Sequence, residues 1–238
     1  MPGERHAITI ASARMGKGQA VIMNNLLYWR GSALTIDPKG EAATYFAHLK
    51  DQQGDDFEHD IHVLDPFEVC ELPEGFQRAS VNLFDELDLN SITIKEDIEA
   101  IADGIVMKSN DKGAEYWDEN GGLLIAGVIA YVLISDRFSL DQKNLITVRA
   151  ILRNIDFLDV CMNEMAKISI AGGLCQSAYS AYKAKEGNYF RTNAQSNTTW
   201  LDSEAMKNTL GHSTFSLSDL KLGKCHVYLV LPARYVTH

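Results

Sequence analysis

The sequence predicts an α/β fold in which a parallel sheet with crossover helices is interrupted by a long all-helical insertion. Three observations carry this. The first 66 residues alternate apolar strand-like pieces with helix-period pieces, the pattern of strands joined by crossover helices. After Pro73 no proline occurs until Pro232, and apolar residues between them recur at helical spacing. Strand character then returns at residues 225–231, an apolar, β-branched run suited to a strand buried on both faces.

In chain order, residues 6–11 read as a buried strand, 17–28 as a helix and 32–37 as a second strand. A helix over 40–50, a polar loop over 51–60 and a third strand over 61–65 follow. Asp37-Pro38 and Asp65-Pro66 close two of these strands, because proline cannot donate to a ladder. Acidic groups therefore fall at the carboxyl edge of the sheet, where open α/β sheets bind ligands. Helices are predicted near 95–107, 116–135, 141–154, 157–166, 170–185 and 193–208. The expected organisation is 1–90 as the first part of the sheet domain, 91–222 as the inserted helical subdomain and 223–238 as the return strand of the sheet domain.

Composition excludes several classes. With 46% hydrophobic and 23% charged residues, the 238-residue chain is globular and not low-complexity. Residues 1–6 carry no apolar stretch of the kind that opens a signal peptide. The apolar run 123–134 is shorter than the roughly 20 residues a membrane span needs, so a buried helix is expected there. Cys70, Cys161, Cys175 and Cys225 are widely separated, and the seven histidines lack ligand spacing, so no zinc site, disulfide framework or protein metal cluster is expected. Net charge is −10, unlike a nucleic-acid-binding surface. Residues 1–119 carry 10 Lys+Arg against 23 Asp+Glu, whereas 120–238 carry 12 against 9, so any nucleic-acid contact is expected in the second half.

The segment Ala11-Ser12-Ala13-Arg14-Met15-Gly16-Lys17-Gly18-Gln19 joins the first strand to the first helix. Such a turn cradles phosphate: backbone N–H groups and the helix N-terminus face the anion, glycine permits close approach, and a lysine reaches the outer phosphates. Ala13, Arg14, Met15, Gly16, Lys17, Gly18 and Gln19 are the candidate nucleotide-binding residues, with Lys17 the phosphate ligand. Ala11 and Gly18 depart from the usual G-x-x-x-x-G-K-[ST] pattern, and a solvated lysine at an ordinary helix start is the alternative. A dinucleotide fingerprint is set aside, because Val21 stands where its third glycine belongs.

The turn is followed by Asn25-Leu26-Leu27, by Ile36-Asp37-Pro38-Lys39-Gly40-Glu41 and by Asp65-Pro66-Phe67. Further on come Val81-Asn82-Leu83-Phe84-Asp85, Tyr116-Trp117-Asp118-Glu119 and Val227-Tyr228-Leu229-Val230-Leu231-Pro232. This ordered set resembles the TraG-type coupling proteins of type IV secretion (VirD-type conjugative DNA-transfer ATPases), which share the GKG turn without its leading glycine. Leu83 stands where that family usually has proline.

The resemblance implies a P-loop NTPase (RecA-like) sheet, incomplete on its C-terminal side, that binds ATP with Mg2+. It further implies a hexameric ring at the cytoplasmic face of the bacterial inner membrane, anchored by membrane segments absent here, passing single-stranded DNA and relaxase proteins to the secretion channel. A neighbour's arginine would reach the phosphates of such a ring, and no arginine here is singled out for that role. The acidic Walker B strand is expected beyond this chain, so a partial sequence that binds nucleotide weakly without turning it over is expected.

Lys17 and Glu41 are the candidate catalytic residues. Asp37 either positions magnesium or water, with Lys39 and Glu41 nearby, or caps the next helix. Asp65 is read as a cap or turn, and Asp118 and Glu119 as acids favoured by a helix N-terminus. Rings at Tyr179, Tyr182, Tyr189, Phe190 and Trp200 interleave with Lys183, Lys185 and Arg191, which suits either a helical core or contact with single-stranded DNA. The alternative function is a non-hydrolysing docking module whose helices recruit protein partners. An unrelated P-loop kinase would need a lid with arginines that the sequence does not display.

Overall fold

A computed structural model describes residues 8, 10, 12, 16, 18–108 and 113–236. The chain divides into two compact units, residues 1–77 with 218–238, and residues 78–217.

In the first unit, β1 (Ala33–Ile36), β2 (Asp60–Leu64) and β3 (Cys225–Leu229) form one parallel sheet in the order β1-β3-β2. The last strand in sequence lies in the middle, pairing Val227 with Leu34 on one side and with His62 on the other. Cys225, His226, Val227 and Tyr228 are accordingly buried, as the continuous apolar run predicts. Helix α1 (Asn24–Tyr28) continues a π-helical stretch, Gly18–Met23, so the helix expected over 17–28 is present from Gly18 onward, with a wider first part. Helix α2 (Glu41–Gln53) buries Ala42, Ala43, Phe46 and Ala47, and Phe46 stacks on Tyr228 with ring centroids 5.7 Å apart. Small side chains beside Phe46 let that ring reach the sheet.

The strand expected over 6–11 is not found at the described positions. Ile8 and Ile10 lie outside any strand and are 85% and 87% exposed, while residues 6, 7, 9 and 11 lie outside the described residues. A period of two supplies a pattern but no partner, and the described ladder consists of β1, β3 and β2.

The second unit is helical: α3 (Ile94–Ile105), α4 (Glu115–Ile134), α5 (Leu145–Arg153), α6 (Ile155–Met165), α7 (Leu174–Lys183), α8 (Gly187–Asn197) and α9 (Glu204–Leu210). Helix α4 is long and apolar enough to cross a membrane, yet 72% of its most apolar window is buried inside the protein, as the buried-helix reading expected. Neighbours pack on several sides of it, so its apolar residues are not confined to one face. Gly127 lets α7 approach closely: a Cβ there would lie 2.2 Å from the Ala178 Cβ of α7.

Three helix expectations need correction. Residues 193–208 are not one helix but the end of α8, a 3-10 turn at Thr199–Asp202, and α9. Thr198 Oγ1 donates to the Ala194 carbonyl at 2.8 Å, while Arg149 donates to the Gln195 carbonyl at 2.9 Å, and the chain turns there. Over 170–185, Gly172 and Gly173 take φ of 61° and 77°, so regular helix starts only at Leu174. Over 141–154 the helix starts at Leu145, where the Asn144 side chain accepts from the Ile146 and Thr147 N–H groups at 3.1 and 3.0 Å.

Residues 78–90 group with the helices: the Val81 N–H donates to the Thr209 carbonyl at 2.8 Å, and the Asn82 N–H to Ser213 Oγ at 2.9 Å. The unit boundaries thus fall after 77 and 217, where the sequence reading had placed them after 90 and 222.

The last two helices belong to the sheet unit. α10 (Asp219–Leu222) precedes β3, and α11 (Ala233–Val236) follows it.

Candidate functional site

Gly16 has φ of +74°, and its carbonyl accepts the Ala20 N–H at 2.8 Å, starting the helical winding that continues to Tyr28. An L side chain is strained at that φ, which is the physical reason for glycine at the join. A Cβ built at Gly16 or Gly18 meets nothing within 4 Å among the described residues. Ala13, Arg14, Met15 and Lys17 lie outside the described residues, and Gln19 belongs to the π-helical stretch.

The two Asp-Pro strand ends use their carboxylates alike. Asp37 Oδ2 accepts the N–H groups of Ala42 and Ala43 at 2.8 and 2.9 Å, capping α2. Asp65 accepts from Val69 at 2.9 Å through Oδ1 and from Cys70 at 2.8 Å through Oδ2. Capping was one of the two roles open for Asp37 and was the role expected for Asp65. Lys39 and Glu41 form an ion pair of 3.7 Å with both side chains exposed, so it is worth little to stability. Among the described residues no group of three or more His, Cys, Asp or Glu side chains is placed to hold a metal ion.

Two residues at this edge were named from the sequence only as motif members, with no role assigned. Gly40, at φ of +70°, turns the chain from β1 into α2. The D-P-x-G spacing was the signal that could have shown it. Tyr228 is fully buried, its hydroxyl has no hydrogen-bond partner among the described residues, and burial, then the Asp37 charge, push its pKa far up. No sequence pattern marks it. Beside the same edge Phe67 stacks on Tyr235 at 3.9 Å, with the Arg234 guanidinium 4.7 Å over the Tyr235 ring.

In the helical unit, Asp118 accepts from Asn193 Nδ2 at 3.0 Å and so joins α4 to α8. Lys183 lies 3.9 Å from Asp159 and over the rings of Tyr179 and Tyr182, at 5.8 and 5.3 Å. Arg191 is half-buried beside Tyr182, whose pKa burial and its bond to Asp159 raise. Lys185 is exposed on the turn between α7 and α8. The three cations are therefore not equivalent: two engage side chains of their own unit and one points to solvent. Phe190 is core, whereas Tyr189 is 68% exposed.

These features have relatives. The chain is 24% identical to the "Type IV secretion system-coupling protein VirD4" of Bartonella henselae over 247 aligned residues, covering 97% of this chain and 36% of that protein. It is 25% identical to the VirD4 coupling protein of Bartonella quintana over the same shares, and 29% identical to the "Conjugal transfer protein TraG" of Escherichia coli over 55% of this chain and 19% of that one. The chain thus spans about a third of the length of the VirD4 relatives, 36%. The model of the family described as Type IV secretory system Conjugative DNA transfer matches residues 2–238. A match over nearly the whole chain, on a parallel sheet broken by a helical unit, shows that the chain belongs to this family of type IV coupling proteins.

Proposed function

We propose that the sheet unit is the nucleotide-binding part of an ATP-driven, P-loop (RecA-like) motor that works in conjugative DNA transfer. The observation that carries this is the left-handed Gly16 at a turn opening into a helix, where a side chain would meet nothing within 4 Å among the described residues. Backbone N–H groups of such a turn face a polyphosphate, and Lys17, at the position after Gly16, supplies the ammonium. ATP would bind with Mg2+, and Asp37, which accepts two amides through Oδ2, would act on the ion only through water. Glu41 and the Asp37 carboxylate would be the groups that orient that water.

In the full-length protein this unit works in a hexameric ring at the cytoplasmic face of the inner membrane. The ring passes single-stranded DNA with its relaxase to the secretion channel, with exposed Lys185 among the cations offered to DNA.

Titration of the chain with a fluorescent ATP analogue, with and without Mg2+, tests the reading. We expect saturable binding, weakened at least about tenfold by Lys17→Ala, a loss of about 1.4 kcal/mol. No binding, or equal binding by Lys17→Ala, rejects it. A chain that captures relaxase without nucleotide affinity supports the docking-module alternative.

A further inference from the structure

His59 and His226 form a buried pair that the nucleotide reading does not use. Their rings lie 4.1 Å apart, centroid to centroid, with planes 32° apart, and the residues are 6% and 0% exposed. His226 sits on β3 between Ala33 of β1 and Ile61 of β2, and His59 immediately precedes β2. His226 Nε2 meets the Gly31 carbonyl at 3.2 Å. A carbonyl only accepts, so Nε2 carries the proton, and Nδ1 of the neutral ring is a bare lone pair. That Nδ1, and Nε2 of His59, are buried with no hydrogen-bond partner among the described residues. Phe46 and Phe57 wall the pair, with Phe46 6.3 Å from the His226 ring and Phe57 5.7 Å from the His59 ring.

We propose that the His59–His226 stack is an acid-sensitive latch: while the His226 ring is neutral it ties β3 to β2 and to the loop before β1, and protonation of that ring releases it. A proton added at His226 Nδ1 would place an imidazolium among aromatic rings, 4.1 Å from a second basic ring. Charged groups on the surrounding elements do not offset this. Lys50 on α2 is turned to the Phe57 carbonyl at 3.0 Å and lies 4.0 Å from Asp60. Asp60 and Asp219 act on His62 and Cys225 and are not among the groups that act on His226. Cys225 and Tyr228, the other titratable groups on β3, are held neutral by burial. Burial, then the neighbouring His59, bring His226 from an ordinary 6.5 down to about 4, against a smaller opposing effect of the Gly31 carbonyl.

The direction of the pH response follows. Between pH 6.5 and about 4 the unfolded chain binds a proton at His226 that the folded chain refuses. The contribution of the pair is complete above 6.5 and is lost as pH falls through that window. The unfolding equilibrium constant grows by up to about tenfold per pH unit there from this residue alone, roughly a hundredfold across the window.

Two measurements on the whole chain decide the matter. Urea unfolding at pH 7.5, 6.0 and 5.0 should show the unaltered chain weakening steeply with acid, and His226→Gln, which keeps a donor for Gly31 but cannot titrate, weakening about tenfold less per unit. His59→Phe keeps a ring in the stack and removes only the second cause, so it should flatten the response in part. Independently, NMR titration of the histidine rings in the unaltered chain should show His226 neutral down to pH 5. Equal acid sensitivity in the unaltered chain and both variants, or a His226 ring that titrates near 6.5 in the folded protein, overturns the latch. Should His226→Gln fail to fold, the ring titration decides alone.

Discussion

Gly40 and Cys70 are packed so closely that a side chain at residue 40 has no room: a Cβ there would lie 2.6 Å from Cys70 Sγ. The contact is also polar, since the Cys70 thiol donates to the Gly40 carbonyl at 3.7 Å. Burial, then Asp65, push that thiol up to about 12, so it stays protonated and can remain the donor. Gly40→Ala meets both the φ of +70° and the sulfur, and we expect it to cost about 2–4 kcal/mol in urea unfolding. Combining it with Cys70→Ala should recover the steric part and leave the backbone part.

Asp37 holds the first turn of α2 through two amide hydrogen bonds. Asp37→Ala should lower stability by about 1–2 kcal/mol, and Asp37→Asn, which keeps an acceptor, by less. If the carboxylate also orients water, Asp37→Asn will lower ATP turnover by the full-length protein while leaving analogue affinity unchanged. A pure cap will move stability alone.

Arg149 is nearly buried and donates to both oxygens of Asp202, at 3.1 and 2.6 Å, and to the Gln195 carbonyl at 2.9 Å. It holds together the break between α8 and α9. Arg149→Ala should cost about 2–4 kcal/mol, below the full figure for a buried pair because Asp202 is 38% exposed. The bond to Arg149 holds the Asp202 carboxyl below its ordinary 3.8. Its contribution is therefore complete above about pH 4 and is lost as pH falls through the lower folded value, so the variant gap should narrow only in strong acid.

Gly127 sits where α4 and α7 touch, with Ala178 Cβ and the Leu174 carbonyl 2.2 and 3.1 Å from a built Cβ. Alanine is the better helix former, yet Gly127→Ala should destabilise by about 1–3 kcal/mol, because the helices must part. Thermal unfolding of the chain checks the sign. A stabilised variant would show that the interface can open without cost.

Much of the architecture was legible in the sequence. β1, β2 and β3 fall within one or two residues of their predicted spans, because apolar strands between Asp-Pro, Gly and helix-period segments are local patterns. Gly16-Lys17 marked the turn by the close approach that glycine permits, and the positive φ of Gly16 adds a second reason for glycine there. The break at Thr198–Ser203 was not legible, since a buried arginine from α5 enforces it and residue 149 is 49 positions away in sequence from Thr198.

By itself the sequence determined the family, the alternation of strand and helix, and the acidic residues at the strand ends, since these depend on neighbours along the chain and on short motifs. The tertiary structure decided what those residues do. It placed β3 between β1 and β2, turned Asp37 and Asp65 onto amides, left Ile8 and Ile10 outside the ladder and brought His59 against His226. The strand order and the His59–His226 contact are pairings between distant segments, chosen by burial and by the need to satisfy backbone groups, which no local pattern encodes, whereas the Asp37 and Asp65 contacts reach only four to six residues along the chain.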